Sequence, residues 1–167
     1  LFQILEYNRA FLIGRLAWSC AGILTLISGA FSVFKRELAV DVGGFSTTTI
    51  GEDFELVLKM HKHCRYHKIK YEMRFIPEPV CWTEVPESMK VLGSQRVRWQ
   101  QGGLEVFFRH INLFMNPRYG RIGLIAHPLV FLSDVAGPMA ELLGYFLLPA
   151  FYILDAFDTE FMMAFIS

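Results

Sequence analysis

No lysine or arginine follows Arg121, although a long stretch of chain lies beyond it. Cysteine is scarce as well: Cys20, Cys64 and Cys81 are widely spaced and form no C-x-x-C pair, which excludes a disulfide framework and points to a reducing compartment. No signal peptide is legible, because Arg9 and Arg15 interrupt the first apolar stretch. Internal repeats and low-complexity tracts are also missing. The net charge is zero, from 16 basic and 16 acidic residues, so no charge excess recommends nucleic acid as a partner. The balance is uneven along the chain, however. Up to Arg121 there are 16 basic against 11 acidic residues, and the basic part runs directly into an apolar tail. That arrangement fits a cytoplasmic part beside a membrane.

What is present is apolar: 53 % hydrophobic and 15 % aromatic over 167 residues, enough for one domain plus membrane elements. The sequence begins at Leu1 without Met and ends in an apolar run, so a piece of a longer protein is expected. From Leu1 to about Trp18, Leu5, Leu12 and Leu16 recur at helical spacing, with Glu6, Arg9 and Arg15 on other faces. Ala17 to Phe34 is uncharged, but Gly22, Ser28 and Gly29 divide it, so Ile23 to Ile27 reads as a buried strand rather than a membrane span. Lys35 to Val42 reads as a short helix closed by Gly43-Gly44.

Thr49-x-x-Glu52 has capping-box spacing and opens a helix to about Lys62 or His63, with Phe54, Val57, Leu58 and Met60 inward. Tyr71 to Ile76 and Val80 to Val85 read as strands around Pro77-Glu78-Pro79, which makes this part α/β. Pro86 to about Met115 is helical again, and Gly93 and Gly102-Gly103 suggest two or three pieces lying at a membrane interface. Ile122 to Phe157 is longer than one crossing needs at about 1.5 Å rise per residue. Pro128, Gly137-Pro138 and Pro149 divide it into an interfacial segment and a crossing from about Met139 to Phe157, with a next one from Phe161. Asp134 and Glu141 are costly there unless they face protein or water.

Two places carry chemistry. Glu52-Asp53 opens a helix, where backbone N–H groups favour negative charge, and a carboxylate in a cleft serves as general base toward a hydroxyl. On local features alone an acidic first turn is ordinary capping. Gln95-x-x-Arg98-Trp99 puts an amide, a guanidinium and an indole on one helix face, a set suited to a sugar ring beside a phosphate. A Trp and Arg pair at headgroup level explains that pattern equally well. A third cluster, His61-x-His63-Cys64-x-x-His67, has metal-ligand residue types. Lys59, Lys62, Arg65, Lys68 and Lys70 surround it and make it a basic, solvated helix end. His127 and Cys81 are expected to be packing residues.

Ser28-Gly29-Ala30-Phe31, Val42-Gly43-Gly44-Phe45, Gly51-Glu52-Asp53, Trp82-Thr83-Glu84-Val85-Pro86 and Gln95-Arg96-Val97-Arg98-Trp99 follow one another at close spacing. In that order they resemble the membrane-bound, processive-type family 2 glycosyltransferases, the group of cellulose, chitin, hyaluronan and poly-N-acetylglucosamine synthases. The resemblance covers nearly the whole chain. It implies the second half of a GT-A fold (nucleotide-diphospho-sugar transferase) in residues 1–86, amphipathic interfacial helices in 87–121 and membrane-embedded helices in 122–167.

It further implies inverting transfer from a nucleotide-sugar, usually UDP-linked, to a hydroxyl of a glycan or lipid-linked acceptor. The enzyme would sit among the lipids of the cell (inner) membrane as a multi-pass protein with its catalytic part cytoplasmic. Asp53 then corresponds to the base and Glu52 to its partner. Ser28, Gly29, Gln95 and Trp99 correspond to the acceptor site, and Arg98 with Arg96 to the donor diphosphate site. Gly51 stands where many members carry Thr, although the chitin-like and hyaluronan-like branches also tolerate Gly. The D-x-D motif that holds Mg²⁺ or Mn²⁺ in the family does not occur, since Asp155-Ala156-Phe157-Asp158 has the wrong spacing. The metal and nucleoside contacts are therefore expected from sequence outside this chain, and the chain alone is expected to be inactive. The alternatives are a non-catalytic membrane scaffold of the same shape, or a transporter piece motivated by Asp134 and Glu141.

Overall fold

The computed structural model describes residues 5–154. Expectations for Leu1 to Ile4, for the end of the crossing at Phe157, for Asp155 to Asp158 and for a segment from Phe161 lie outside the described residues.

Helix α1 opens as a π-helical stretch, Tyr7–Gly14, and continues as an α-helix over Arg15–Cys20. Helix α2 spans Arg36–Asp41 and ends as its glycines dictate, with Gly43 and Gly44 both at positive φ (86° and 66°). Helix α3, Glu52–Tyr66, buries Phe54, Val57, Leu58 and Met60 as the periodicity predicts, and Leu56 and Cys64 with them. The expected capping box does not form. Gly51 is the N-cap, and the Thr49 hydroxyl accepts from the Gly51 N–H at 3.2 Å.

Helix α4 runs unbroken over Met89–Arg109, capped by the Ser88 hydroxyl, which accepts from the Val91 N–H at 3.3 Å. Gly93 and Gly102-Gly103 do not divide it. A glycine costs a helix about 1 kcal/mol, less than packing returns when the partner requires the space. Helix α5 is made of four consecutive segments: π-helical Ile122–Ala126, α-helical His127–Phe131, π-helical Leu132–Ala136 and α-helical Gly137–Ile153. The prolines expected to divide it are absorbed instead. Pro128 and Pro138 each follow a π-helical segment, whose wider turn accommodates a residue without an N–H, and Pro149 sits within the last segment.

Among the described residues no strand forms, so the strands expected over 23–27, 71–76 and 80–85 are absent here and the α/β reading is not confirmed by this chain. These segments carry no helix and no ladder. A strand needs a neighbour to bond its backbone groups, and among the described residues none forms a ladder with these segments. The alternation itself is present: Tyr71, Met73 and Phe75 are half-buried while Glu72 and Arg74 are exposed. Ile23, Leu24 and Thr25 are buried.

The core lies where α3, α4 and α5 meet, built from Phe54, Leu58, Val106, Phe107, Leu113, Tyr119 and Val130. A smaller cluster of Ile23, Ile122 and Ala126 joins it through Trp18, which packs on both. The first half of α5 is thus anchored in the core. Its last segment presents exposed Leu142, Leu143, Tyr145, Phe146 and Leu148. Ile122–Phe151 is long and apolar enough to cross a membrane.

Candidate active site

Asp53 stands in the first turn of α3, half-buried, while Glu52 points outward to solvent. One oxygen of Asp53, Oδ1, accepts from the Phe54 N–H at 2.7 Å. The other, Oδ2, lies against Gly29: a Cβ built on that glycine would be 2.9 Å from it. A side chain there would require the Asp53 carboxylate to shift. The Ser28-Gly29 turn and Asp53, far apart in sequence, are therefore neighbours.

Two sets of contacts tie this acidic turn to the helix carrying Gln95, Arg98 and Trp99. The first is backbone against backbone. A Cβ on Gly51 would meet the Gly102 carbonyl oxygen at 3.1 Å, and a Cβ on Gly102 would meet the Gly51 nitrogen at 3.1 Å. Gly51 is thus the small residue that α4 needs beside it. The loop is also held by side chains. Ile50 N–H donates to Glu105 Oε2 at 3.4 Å, and Arg109 donates to the Thr48 hydroxyl at 2.9 Å and to the Thr48 carbonyl at 3.3 Å.

The second set runs through α1. The Arg15 guanidinium lies 4.3 Å from the centre of the Phe11 ring, and Phe11 meets Trp99 edge-on at 6.2 Å. Trp99 is in turn covered by Arg96 at 4.7 Å, and Arg96 is paired with Glu6 at 2.6 Å. Burial lowers Arg15 to about 10, opposed by attraction to Asp53 and Tyr7. Glu6 and Arg15, on other faces of α1 than its leucines, reach Arg96 and the Ile27 carbonyl, partners that local periodicity could not reveal.

Gln95 is half-buried, and its Oε1 is buried without a partner. Arg98 is exposed and, among the described residues, makes no ion pair or hydrogen bond, whereas Arg96 is occupied by Glu6 and Trp99. Ser28 contributes its carbonyl to the Ser32 hydroxyl at 2.8 Å.

Glu55, not singled out from sequence, is buried beneath the acidic turn. Its Oε1 lies 3.7 Å from Lys59, 3.6 Å from Arg109 and 3.6 Å from His110. A buried glutamate among apolar helix positions was the available signal, because such a group needs partners. His110 is pushed below its usual range by burial first and Lys62 next, with Glu55 opposing. Deeper still, His61 donates from Nε2 to the Leu24 carbonyl at 2.8 Å. Its Nδ1 must then accept from the Tyr71 hydroxyl at 2.7 Å, and that hydroxyl accepts from Arg65 Nε at 3.2 Å. Burial holds His61 neutral, at about 4. The segments 23–25 and 71–75 are thereby fastened to α3.

No group of three His, Cys, Asp or Glu among the described residues could hold a metal ion. The His63 and His67 rings lie 4.6 Å apart at a tilt of 44°, but Cys64 is buried away from solvent and its thiol is raised by burial, so the triplet does not converge as ligands. His127 is a packing residue, as expected, stacked on Phe107 at 4.6 Å. Cys81 is exposed, contrary to expectation, because the segment around it has no covering layer.

On the far side of α4, Gly103 abuts Asp134 of α5: a Cβ there would lie 3.1 Å from Asp134 Oδ2. Gln100 Nε2 donates to the Asp134 carbonyl, and Ser133 donates to the Asp134 carboxylate at 2.6 Å. Glu141 lines a groove of about 750 Å³ between α4 and α5, with Arg96, Gln100, Gln101 and Phe108. Asp134 and Glu141 therefore face protein or an open groove. The helix of the Gln-x-x-Arg-Trp motif is clamped at its double glycine, the acidic turn on one side and the apolar helix on the other.

A carboxylate beside a glycine turn, in a loop packed on the helix that also carries an amide, an indole and a free guanidinium, has residue types suited to proton removal from a sugar hydroxyl near a phosphate. Comparison with known proteins bears on that chemistry. The sequence model of the glycosyl transferase family group 2 matches residues 3–163. The poly-beta-1,6-N-acetyl-D-glucosamine synthase of Staphylococcus aureus (strain COL) is 44 % identical over 109 residues, covering 64 % of this chain and 24 % of that protein. The enzyme of the same name from Staphylococcus epidermidis is 40 % identical over 109 residues, with the same coverage. The aligned part thus spans about a quarter of the length of these relatives. No solved structure matches the chain. With nearly its full length matched by the family's sequence model and its acidic turn packed on the Gln-x-x-Arg-Trp helix, the chain belongs to the glycosyl transferase family group 2.

Proposed function

We propose that the whole protein transfers a sugar, with inversion, from a UDP-linked donor to a hydroxyl of a growing polysaccharide or glycolipid at the membrane. The observation that carries this reading is the shared packing of the two motifs: Gly51 on Gly102, and Arg15 and Phe11 between Asp53 and Trp99. Neither motif is persuasive alone, but a base and a sugar-and-phosphate binding helix held side by side meet both demands of glycosyl transfer.

In this mechanism Asp53 takes the acceptor hydroxyl proton as that oxygen bonds to the anomeric carbon. The bond from that carbon to the diphosphate breaks, and its electron pair leaves with UDP. Arg98 offsets the charge gathering on the diphosphate, with Arg96 held beside it by Glu6 and Trp99. Gln95 and Trp99 hold the acceptor ring. The turn of Ser28 and Gly29 lets that ring approach the backbone.

The family commonly uses a divalent metal. The residues described here do not form a site for Mg²⁺ or Mn²⁺, so that group is assigned to a D-x-D motif elsewhere in the whole protein, and no step is routed through it. Residues 1–86 supply the second half of the GT-A domain that the family implies, with 23–27, 71–76 and 80–85 pairing to strands outside this chain. Residues 87–121 lie at the interface, and 122–167 enter a cell membrane as part of a multi-pass array, the catalytic part facing the cytoplasm.

The names of the relatives make N-acetylglucosamine the first sugar to try. The test is product formation by purified full-length protein from a panel of UDP-sugars with Mg²⁺ or Mn²⁺. Asp53→Asn is expected to abolish product; product formed at the parent rate would refute the assignment of the base.

A further inference from the structure

Arg15 is the one arginine of α1 that turns inward, and three observations converge on it. Its Nη2 donates to the Ile27 carbonyl at 3.3 Å, holding the residue that leads into the Ser28-Gly29 turn. Its guanidinium plane covers Phe11, whose edge meets Trp99. Its Nε is buried with no partner among the described residues, so the side chain stays inward at a desolvation cost. Gly29, two residues beyond Ile27, is the glycine pressed against Asp53 Oδ2. A guanidinium is costly to bury, and an apolar helix facing a core would more simply carry leucine or methionine here.

We propose that Arg15 is a positioning residue for the acceptor site: it fixes the Ile27–Gly29 turn against the Asp53 carboxylate and keys that turn to Trp99 through Phe11. It acts through its neighbours, setting the gap in which the acceptor hydroxyl meets the base. This rests on the glycosyltransferase reading above. A turn released by a fraction of an ångström costs catalysis more than stability, because rate depends on alignment of the reacting atoms.

The test uses the full-length protein with UDP-N-acetylglucosamine and a β-1,6-linked N-acetylglucosamine oligosaccharide, or the donor that the panel selects with an oligosaccharide of its product. Arg15→Met is expected to lower kcat/KM for the acceptor by roughly ten- to hundredfold, while KM for the donor stays within about twofold of the parent. Arg15→Lys, which keeps a donor for the Ile27 carbonyl, is expected to regain part of the loss. Gly29→Ala reaches the same turn from an exposed position and needs no change in α1. Its Cβ would stand 2.9 Å from Asp53 Oδ2, so the same acceptor-side defect is expected even where Arg15→Met fails to fold. Normal acceptor kinetics in Arg15→Met, or donor and acceptor constants that worsen together with the thermal midpoint and equally in Met and Lys, would overturn the proposal. If Asp53→Asn is dead and Arg15→Met normal, only this inference falls; if Asp53→Asn is active, the glycosyltransferase assignment of the site falls first.

Discussion

Alanine placed at Gly93 and at Gly102 makes the same chemical change on one helix, and the structure assigns the two opposite signs. Within a helix interior, alanine is favoured over glycine by about 0.8–1 kcal/mol. At Gly93 a Cβ meets nothing within 4 Å, so that gain is undiminished. At Gly102 the Cβ would stand 3.1 Å from the Gly51 nitrogen, 3.3 Å from Gly51 Cα and 3.4 Å from the Ile50 carbonyl carbon. All three are backbone atoms, so no side chain can rotate away. Nor can the loop drift, since Glu105 holds Ile50 and Arg109 holds Thr48. Overpacking of this kind costs about 1–3 kcal/mol, which outweighs the propensity gain.

The displaced backbone belongs to Gly51, two residues before Asp53, so turnover is expected to fall more steeply than stability. Thermal midpoints and initial rates of the two full-length variants, measured side by side, decide it. Gly93→Ala should match or exceed the parent in both, and Gly102→Ala should lose in both. A Gly102→Ala protein as stable and as active as Gly93→Ala would refute the close packing of the two motifs.

Two further outcomes follow from buried charge. His61 is held at about 4 in the fold against an ordinary 6.5, so the unfolded chain binds the extra proton first as pH falls. Its contribution is therefore intact above pH 6.5 and is lost between about 6.5 and 4. A His61→Gln variant should lose less of its thermal midpoint between pH 7 and pH 4.5 than the parent does, and equal losses would contradict the assignment. Glu55→Gln removes the charge shared by Lys59, Arg109 and His110 at the floor of the acidic turn. A cost of about 1–3 kcal/mol is expected, with reduced turnover from a loosened Thr48 to Asp53 loop. Unchanged denaturation and activity would show that the cluster does not support the site.

The helices of this chain were legible where their own residues decide them. Phe54, Val57, Leu58 and Met60 recur at helical spacing and are buried together on α3, and Gly43-Gly44 ends α2 through positive φ. What the sequence concealed is whatever depends on a partner. The segment 71–75 keeps a strand's alternation without a strand's ladder, because hydrogen-bonding neighbours cannot be read from one stretch. Glu6 and Arg15 read only as residues on other faces of α1, yet one pairs with Arg96 and the other donates to the Ile27 carbonyl.

The double glycine of α4 shows the same limit most sharply. Read alone, Gly102-Gly103 is a place for a helix to stop. Here each glycine admits a different neighbour: the Gly51 backbone on one face, the Asp134 carboxylate on the next. Two adjacent missing side chains let one unbroken helix touch the Asp53-bearing turn and the apolar helix at neighbouring positions. A bulkier residue at either position would push the helix away from one of these two neighbours, so the feature that argued for a break is what joins the acidic turn to the apolar helix.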